Sequence, residues 1–126
     1  MRWVRLITVM GAALALAACD WGPRGPGQLS GIVTTGEIPV GAMILEVRGV
    51  GVQGFADSSP TRVFFAETET DVYRLVLVTS DPGGIGFRVS VDDVRAPAFT
   101  VTTVEAVDEN NAPIADLGGI RVSISR

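Results

Sequence analysis

Val72-Tyr73-Arg74-Leu75-Val76-Leu77-Val78 carries one charge in seven residues. On a strand, successive side chains point to opposite sides of the sheet. Tyr73, Leu75 and Leu77 then share one face, and Val72, Val76 and Val78 lie on the other. A strand that is apolar on both faces is expected at the centre of a sheet, covered on both sides.

On either side of this stretch the alternation is plainer. Phe87, Val89 and Val91 alternate with Arg88 and Ser90, and Ile120, Val122 and Ile124 alternate with Arg121, Ser123 and Ser125. Period-two alternation of this kind puts one face in a core and the other in water. Further strands are expected at Leu29 to Thr34, Ala42 to Arg48, Thr61 to Thr68 and Phe99 to Val107, with a short one in Val50 to Phe55. Turn-forming residues separate them: Gly49, Gly51, Ser58-Ser59-Pro60, Asp81-Pro82-Gly83-Gly84, Ala96-Pro97, Asn110-Asn111 and Gly118-Gly119. No window after Cys19 has a helical period. Seven or eight short strands at this spacing predict an all-β chain, an antiparallel β-sandwich of immunoglobulin-like or jelly-roll type. Phe55, Phe64, Phe65, Phe87 and Phe99 are all expected in its core.

The front of the chain reads differently. Met1 to Arg5 carries two positive charges, and Leu6 to Ala18 has none and is almost wholly apolar. As a helix that run reaches only ~20 Å, short of the roughly 30 Å hydrocarbon core. A charged start, a short apolar stretch and small residues at its end describe a secretory signal peptide. Leu16-Ala17-Ala18-Cys19 resembles the lipobox of bacterial lipoproteins: an aliphatic residue, two small residues and a cysteine. The resemblance implies that the Cys19 thiol receives a diacylglycerol group through a thioether. It also implies that a peptidase recognising Leu16, Ala17 and Ala18 cuts in front of Cys19, and that the freed amine takes a further acyl chain such as palmitate. Ala15 to Ala17 also offers an ordinary Ala-x-Ala cleavage site. Against that alternative, Cys19 is the chain's single cysteine, and an exported lone thiol has no disulfide partner within the chain.

The expected organisation is therefore a signal peptide over residues 1–18, a lipidated cysteine and Gly/Pro tether over 19–27, and one sandwich domain over 28–126. Several acyl chains hold a protein firmly where one gives only reversible binding. The expected location is the bacterial cell envelope, with the membrane engaged through lipid on Cys19. Asp20 directly after the cysteine resembles the inner-membrane retention signal of enterobacterial lipoproteins. The order of strands, with Ala42–Val47 early and Phe99-Thr100-Val101 near the end, resembles cohesin-like sandwich modules. Together with Arg62-Val63, it is also similar to small uncharacterised lipoproteins of environmental bacteria. Cohesins bind protein partners through a sheet face, so this resemblance implies a fold and a mode of use without assigning residues.

Composition narrows the chemistry. The chain has no histidine and no lysine, which removes Ser-His-Asp, Cys-His, Ser-Lys and Schiff-base machinery and the commonest zinc and copper ligand. Without the first eighteen residues, eight arginines face fourteen acidic residues, a net charge near −6. A phosphate backbone demands a basic surface, so nucleic acid is not an expected partner. Carboxylate chemistry survives this subtraction. Glu67, Glu69 and Asp71 would point to one side of an extended strand, at i, i+2 and i+4. The plainer reading of these three is a solvated strand face. Asp108, Asn110 and Asp116 offer oxygen ligands of the kind calcium takes, with Asp92-Asp93 as neighbours. Their plainer reading is a polar turn. The expectation is a non-enzymatic module without a cofactor that binds an envelope protein or serves a structural role. The alternative is a calcium- or carbohydrate-binding module, or a small carbohydrate-active enzyme, using the acidic loop residues.

Overall fold

A computed structural model describes residues 25–95 and 99–126. Those residues form eight strands: β1 (Gly27–Thr34), β2 (Val40–Gly49), β3 (Val52–Asp57), β4 (Thr61–Glu69), β5 (Val72–Thr79), β6 (Ile85–Val91), β7 (Phe99–Asp108) and β8 (Arg121–Ser125). Every expected strand is present, most with ends moved by a residue or two, and no helix occurs among the described residues. The strands make two antiparallel four-stranded sheets, ordered β3-β6-β1-β8 and β4-β5-β2-β7. The described residues form an all-β, antiparallel sandwich.

Its connectivity is that of a rolled ribbon. The pairs β1·β8, β2·β7, β3·β6 and β4·β5 all form, as they would if one long hairpin with its tip between β4 and β5 were wound around a core. Only that tip stays within one sheet; every other connection crosses between sheets. The pairs are joined into sheets through β1·β6 and β2·β5.

The core follows from the alternation. Leu29 and Val33 of β1, with Ile85, Phe87, Val89 and Val91 of β6, meet Met43, Leu45 and Val47 of β2 and Leu75 and Leu77 of β5. Burying side chains of this size stabilises by about 1.5–3 kcal/mol each, and the described residues contain no disulfide to assist. Gly31 lies opposite Phe87 in the β1–β6 register, and the Phe87 ring occupies the space that a side chain at Gly31 would need. The buried Thr61 ties the sheets together at one end: its hydroxyl donates to the Gly84 carbonyl (3.2 Å) and accepts from the Gly86 N–H (3.1 Å).

Gly25 and Gly27, which the sequence places in the expected tether over 19–27, are held by the described fold. Gly25 is already fixed, its N–H donating to Asp93 Oδ1 (3.3 Å) and its carbonyl accepting from Val94 N–H (3.1 Å). Gly27 opens β1 against Val91, in space that Val94 leaves too narrow for a side chain.

Two expectations about the core are corrected. β5 is central in its sheet but not covered on both sides: Tyr73, Leu75 and Leu77 are buried, while Val76 and Val78 are 38% and 42% exposed. Phe87 is in the core and Phe55 and Phe99 pack against it, but Phe64 is 55% exposed and Phe65 46%. Phe65 faces inward at the sheet edge, edge-on to Phe55 at 5.2 Å between ring centres. Phe64 points the other way, because neighbours on a strand alternate.

Candidate binding face

The outer sides of the two sheets differ in kind. On the first sheet, Ser30, Arg88 and Ser125 lie side by side across the strands, followed by Ile32 between Gly86 and Ser123. Serine, arginine and glycine make this face ordinary wetted surface, with Ile32 its one exposed large hydrophobic residue.

On the second sheet, the register builds rows across four strands. One row runs Arg62 (β4), Val78 (β5), Ala42 (β2) and Val107 (β7); the next runs Phe64, Val76, Ile44 and Glu105. A third runs Ala66, Arg74, Glu46 and Thr102. The first two rows thus hold six apolar side chains in one continuous patch, flanked by Arg62 on β4 and Glu105 on β7. In β7 the register slips beside Ile44 and Leu45, making Val104 an extra residue that is itself 37% exposed. Contiguous exposed apolar surface of this sort marks an interaction site more often than scattered residues do.

The patch has relief. Phe64 projects on the β4 side. On the β2–β7 side, where Ala42 and Ala106 are small, a shallow hollow of about 200 Å³ opens between Ile44, Val76, Glu105 and Val107. Below the patch, Arg48 Nε donates to Glu46 Oε1 (2.6 Å), and Arg74 approaches Glu46 Oε2 at 3.4 Å. The hydrogen bond from Arg48, more than that from Arg74, holds the Glu46 carboxyl below its ordinary range.

The acidic residues singled out in the sequence are distributed elsewhere. Glu67, Glu69 and Asp71 do not line one side of a strand. The register slips at Thr68, so Glu67 pairs with Tyr73 and Glu69 with Val72, and Asp71 sits in the turn with a φ of 59°. Asp108 Oδ1 accepts from the backbone N–H groups of Asn110 (2.8 Å) and Ala112 (2.9 Å), and Asp116 Oδ1 from that of Gly118 (2.9 Å). Each carboxylate thereby closes its own turn. Asp92 and Asp93 are not neighbours of Asp108: Asp92 lies against Gly51 just past the end of β2, whereas Asp108 pairs with Val40 at its start. Among the described residues no three carboxylate, cysteine or histidine side chains gather as metal ligands. Leu16, Ala17, Ala18 and Cys19 lie outside the described residues.

Sequence reasoning missed the outer face, although its signal was present. Val76 and Val78 are the apolar residues on the second side of β5, where the sequence predicts a covering layer, and Ile44 and Ala42 continue that side on β2. No helix among the described residues is long and apolar enough to cross a membrane. No protein-family model, curated protein or solved structure matches the chain.

Proposed function

We propose that the chain is a lipid-anchored module of the bacterial cell envelope that works without catalysis, presenting a sheet face to a protein partner. The observation that carries the anchor is the position of the single cysteine, Cys19, directly behind Leu16-Ala17-Ala18 and a short apolar run. The mode of use draws support from the contrast between the two outer faces, one wetted and one apolar with charged flanks. The calcium or carbohydrate reading gains no such support. Asp108 and Asp116 each have a carboxylate oxygen committed to backbone donors, and the exposed face lacks the tryptophans and tyrosines that stack on sugars.

Crosslinking in living cells, followed by gentle membrane extraction and mass spectrometry, tests this reading. The expected result is a protein in the membrane fraction, joined in comparable amount to one envelope protein. The Cys19→Ala chain is expected to leave the membrane fraction. Recovery of the wild-type chain alone, or retention of Cys19→Ala in the membrane, would overturn the proposal.

A further inference from the structure

We infer that the free edge of β8 is a strand-addition site. Its occupant is an extended segment of a partner protein, acidic along one side and apolar along the other, which pairs as a further strand of the first sheet. The inference rests on the binding-module reading only in taking the partner to be a protein, and it places this contact away from the apolar outer face.

Each sheet leaves two edges, at β3 and β8 in the first and at β4 and β7 in the second. Three of the four are spoiled as templates for another chain. β3 bulges at Gln53, β4 at Thr68 and β7 at Val104, and a bulge bends an edge and breaks its regular spacing of donors and acceptors. The same three are also engaged from outside the ladder. The Val52 carbonyl of β3 accepts from the Tyr73 hydroxyl (3.0 Å), the Val63 N–H of β4 donates to Asp57 Oδ1 (2.6 Å), and the Ala106 carbonyl of β7 accepts from the Ile114 N–H (3.0 Å). β3 and β4 further meet through Ser58 and Thr61, which closes that side of the sandwich. β8 differs on every count. It pairs with β1 from Arg121 to Ser125 without a slip, and among the described residues nothing else bonds to its backbone.

An open, regular row of backbone N–H and C=O groups is a template for extended peptide, and the side chains on either side of it set which peptide. Val122 and Ile124 face inward yet are only half-buried, whereas Phe87 and Val89 of the same sheet are fully covered. At the end of β8 a hollow of about 300 Å³ opens between Ile124 and Phe99 of β7, lined also by Leu29 and Val94. A strand laid beside β8 covers this apolar margin if its inward side chains are apolar. On the outward side, the paired rows of the first sheet carry Arg88 and Arg121 and no carboxylate. Opposite charges across a strand pair stabilise it and like charges weaken it, so the outward positions of the added strand are acidic. The β8 of a second copy is the wrong occupant, because an antiparallel pair centred on Ser123 sets Arg121 of each copy beside Arg126 of the other. The ladder is five residues long, so the contact is reversible and in the micromolar range.

A fluorescent peptide of alternating glutamate and valine, titrated with the full lipid-bearing chain in mild detergent, tests the inference by anisotropy. Micromolar binding is expected, with backbone hydrogen exchange slowed over residues 121–125 and unchanged on β4 and β5. Methylating the peptide's central backbone nitrogens keeps its side chains but removes its donors, and should weaken binding about tenfold or more. Arg121→Glu should weaken binding about fivefold, and a peptide of alternating lysine and valine should bind that variant better than it binds the wild type. Arg121 is exposed, so circular dichroism is expected to show an unchanged fold, and the methylated-peptide arm stands if the variant does not fold. No binding, protection on the β4–β5 face instead of β8, equal binding of the methylated peptide, or association of the chain with itself through β8 would each overturn the inference. Recovery of an envelope partner by crosslinking is a separate readout, so a partner found without peptide binding at β8 sinks the inference and leaves the binding-module reading standing.

Discussion

Tyr73 shows how a single side chain joins the two sheets. Its ring is buried between layers, edge-on to Phe55 at 5.5 Å, and its hydroxyl donates to the Val52 carbonyl of the opposite sheet at 3.0 Å. Hydrogen bonding with Glu67 raises the Tyr73 pKa above its ordinary value of 10.0, with burial and the nearby negative charges acting in the same direction. The neutral phenol is thus the form the fold prefers. Its contribution is fully present below the unfolded value near 10 and is lost as pH climbs through the raised folded value. Tyr73→Phe should cost about 0.5–1.5 kcal/mol at neutral pH, the worth of one buried hydrogen bond. It should also reduce the fall in stability above about pH 10. Urea unfolding at neutral and alkaline pH checks both; an unchanged alkaline fall in the variant would contradict this assignment. Little of this was legible beforehand, because the sequence places Tyr73 on an apolar face but does not say which carbonyl lies above it.

At the scale of elements, strand positions were legible almost throughout, because alternating β-branched and polar residues have one simple reading on a half-buried sheet. β6 and β8 follow that reading closely. β5 departs from it instructively. Its run from Val72 to Val78 reads as doubly covered, yet only the Tyr73, Leu75, Leu77 side meets the core. A sequence reports that a residue is apolar, not whether anything in the same chain reaches it. The three-carboxylate row failed for a different reason: the irregularity at Thr68 in β4 breaks the period on which any i, i+2, i+4 reading depends. The two faces of β5 should answer mutation oppositely. Leu75→Ala, at a fully buried position, should cost about 2–5 kcal/mol. Val76→Thr, one residue on and partly exposed, should stay within about 0.5 kcal/mol. Thermal or denaturant unfolding of the pair measures the difference, and comparable losses at both positions would mean that Val76 is covered within the single chain.

For the whole molecule, the rolled ribbon explains why long-range neighbours resist prediction. Asp92 and Asp108 sit on the tips of successive connections in sequence space, but β7 runs most of the length of the sandwich between them and carries them to opposite ends. The same winding places Gly25, the first described residue, beside Asp93 and Val94 at one end of the sandwich. A lipid on Cys19 would thus hold the domain by that end, with both sheet faces free along its sides. Fold class and strand count were open to reading from local pattern; the apolar outer face needed the register. The lipid anchor is tested by the mass of the N-terminal peptide of the protein extracted from bacterial membranes. The expected peptide begins at Cys19 and is heavier by a diacylglycerol thioether, with or without an added acyl chain on the amine. A chain beginning at Ala18, or one beginning at Cys19 with a free thiol, would contradict it.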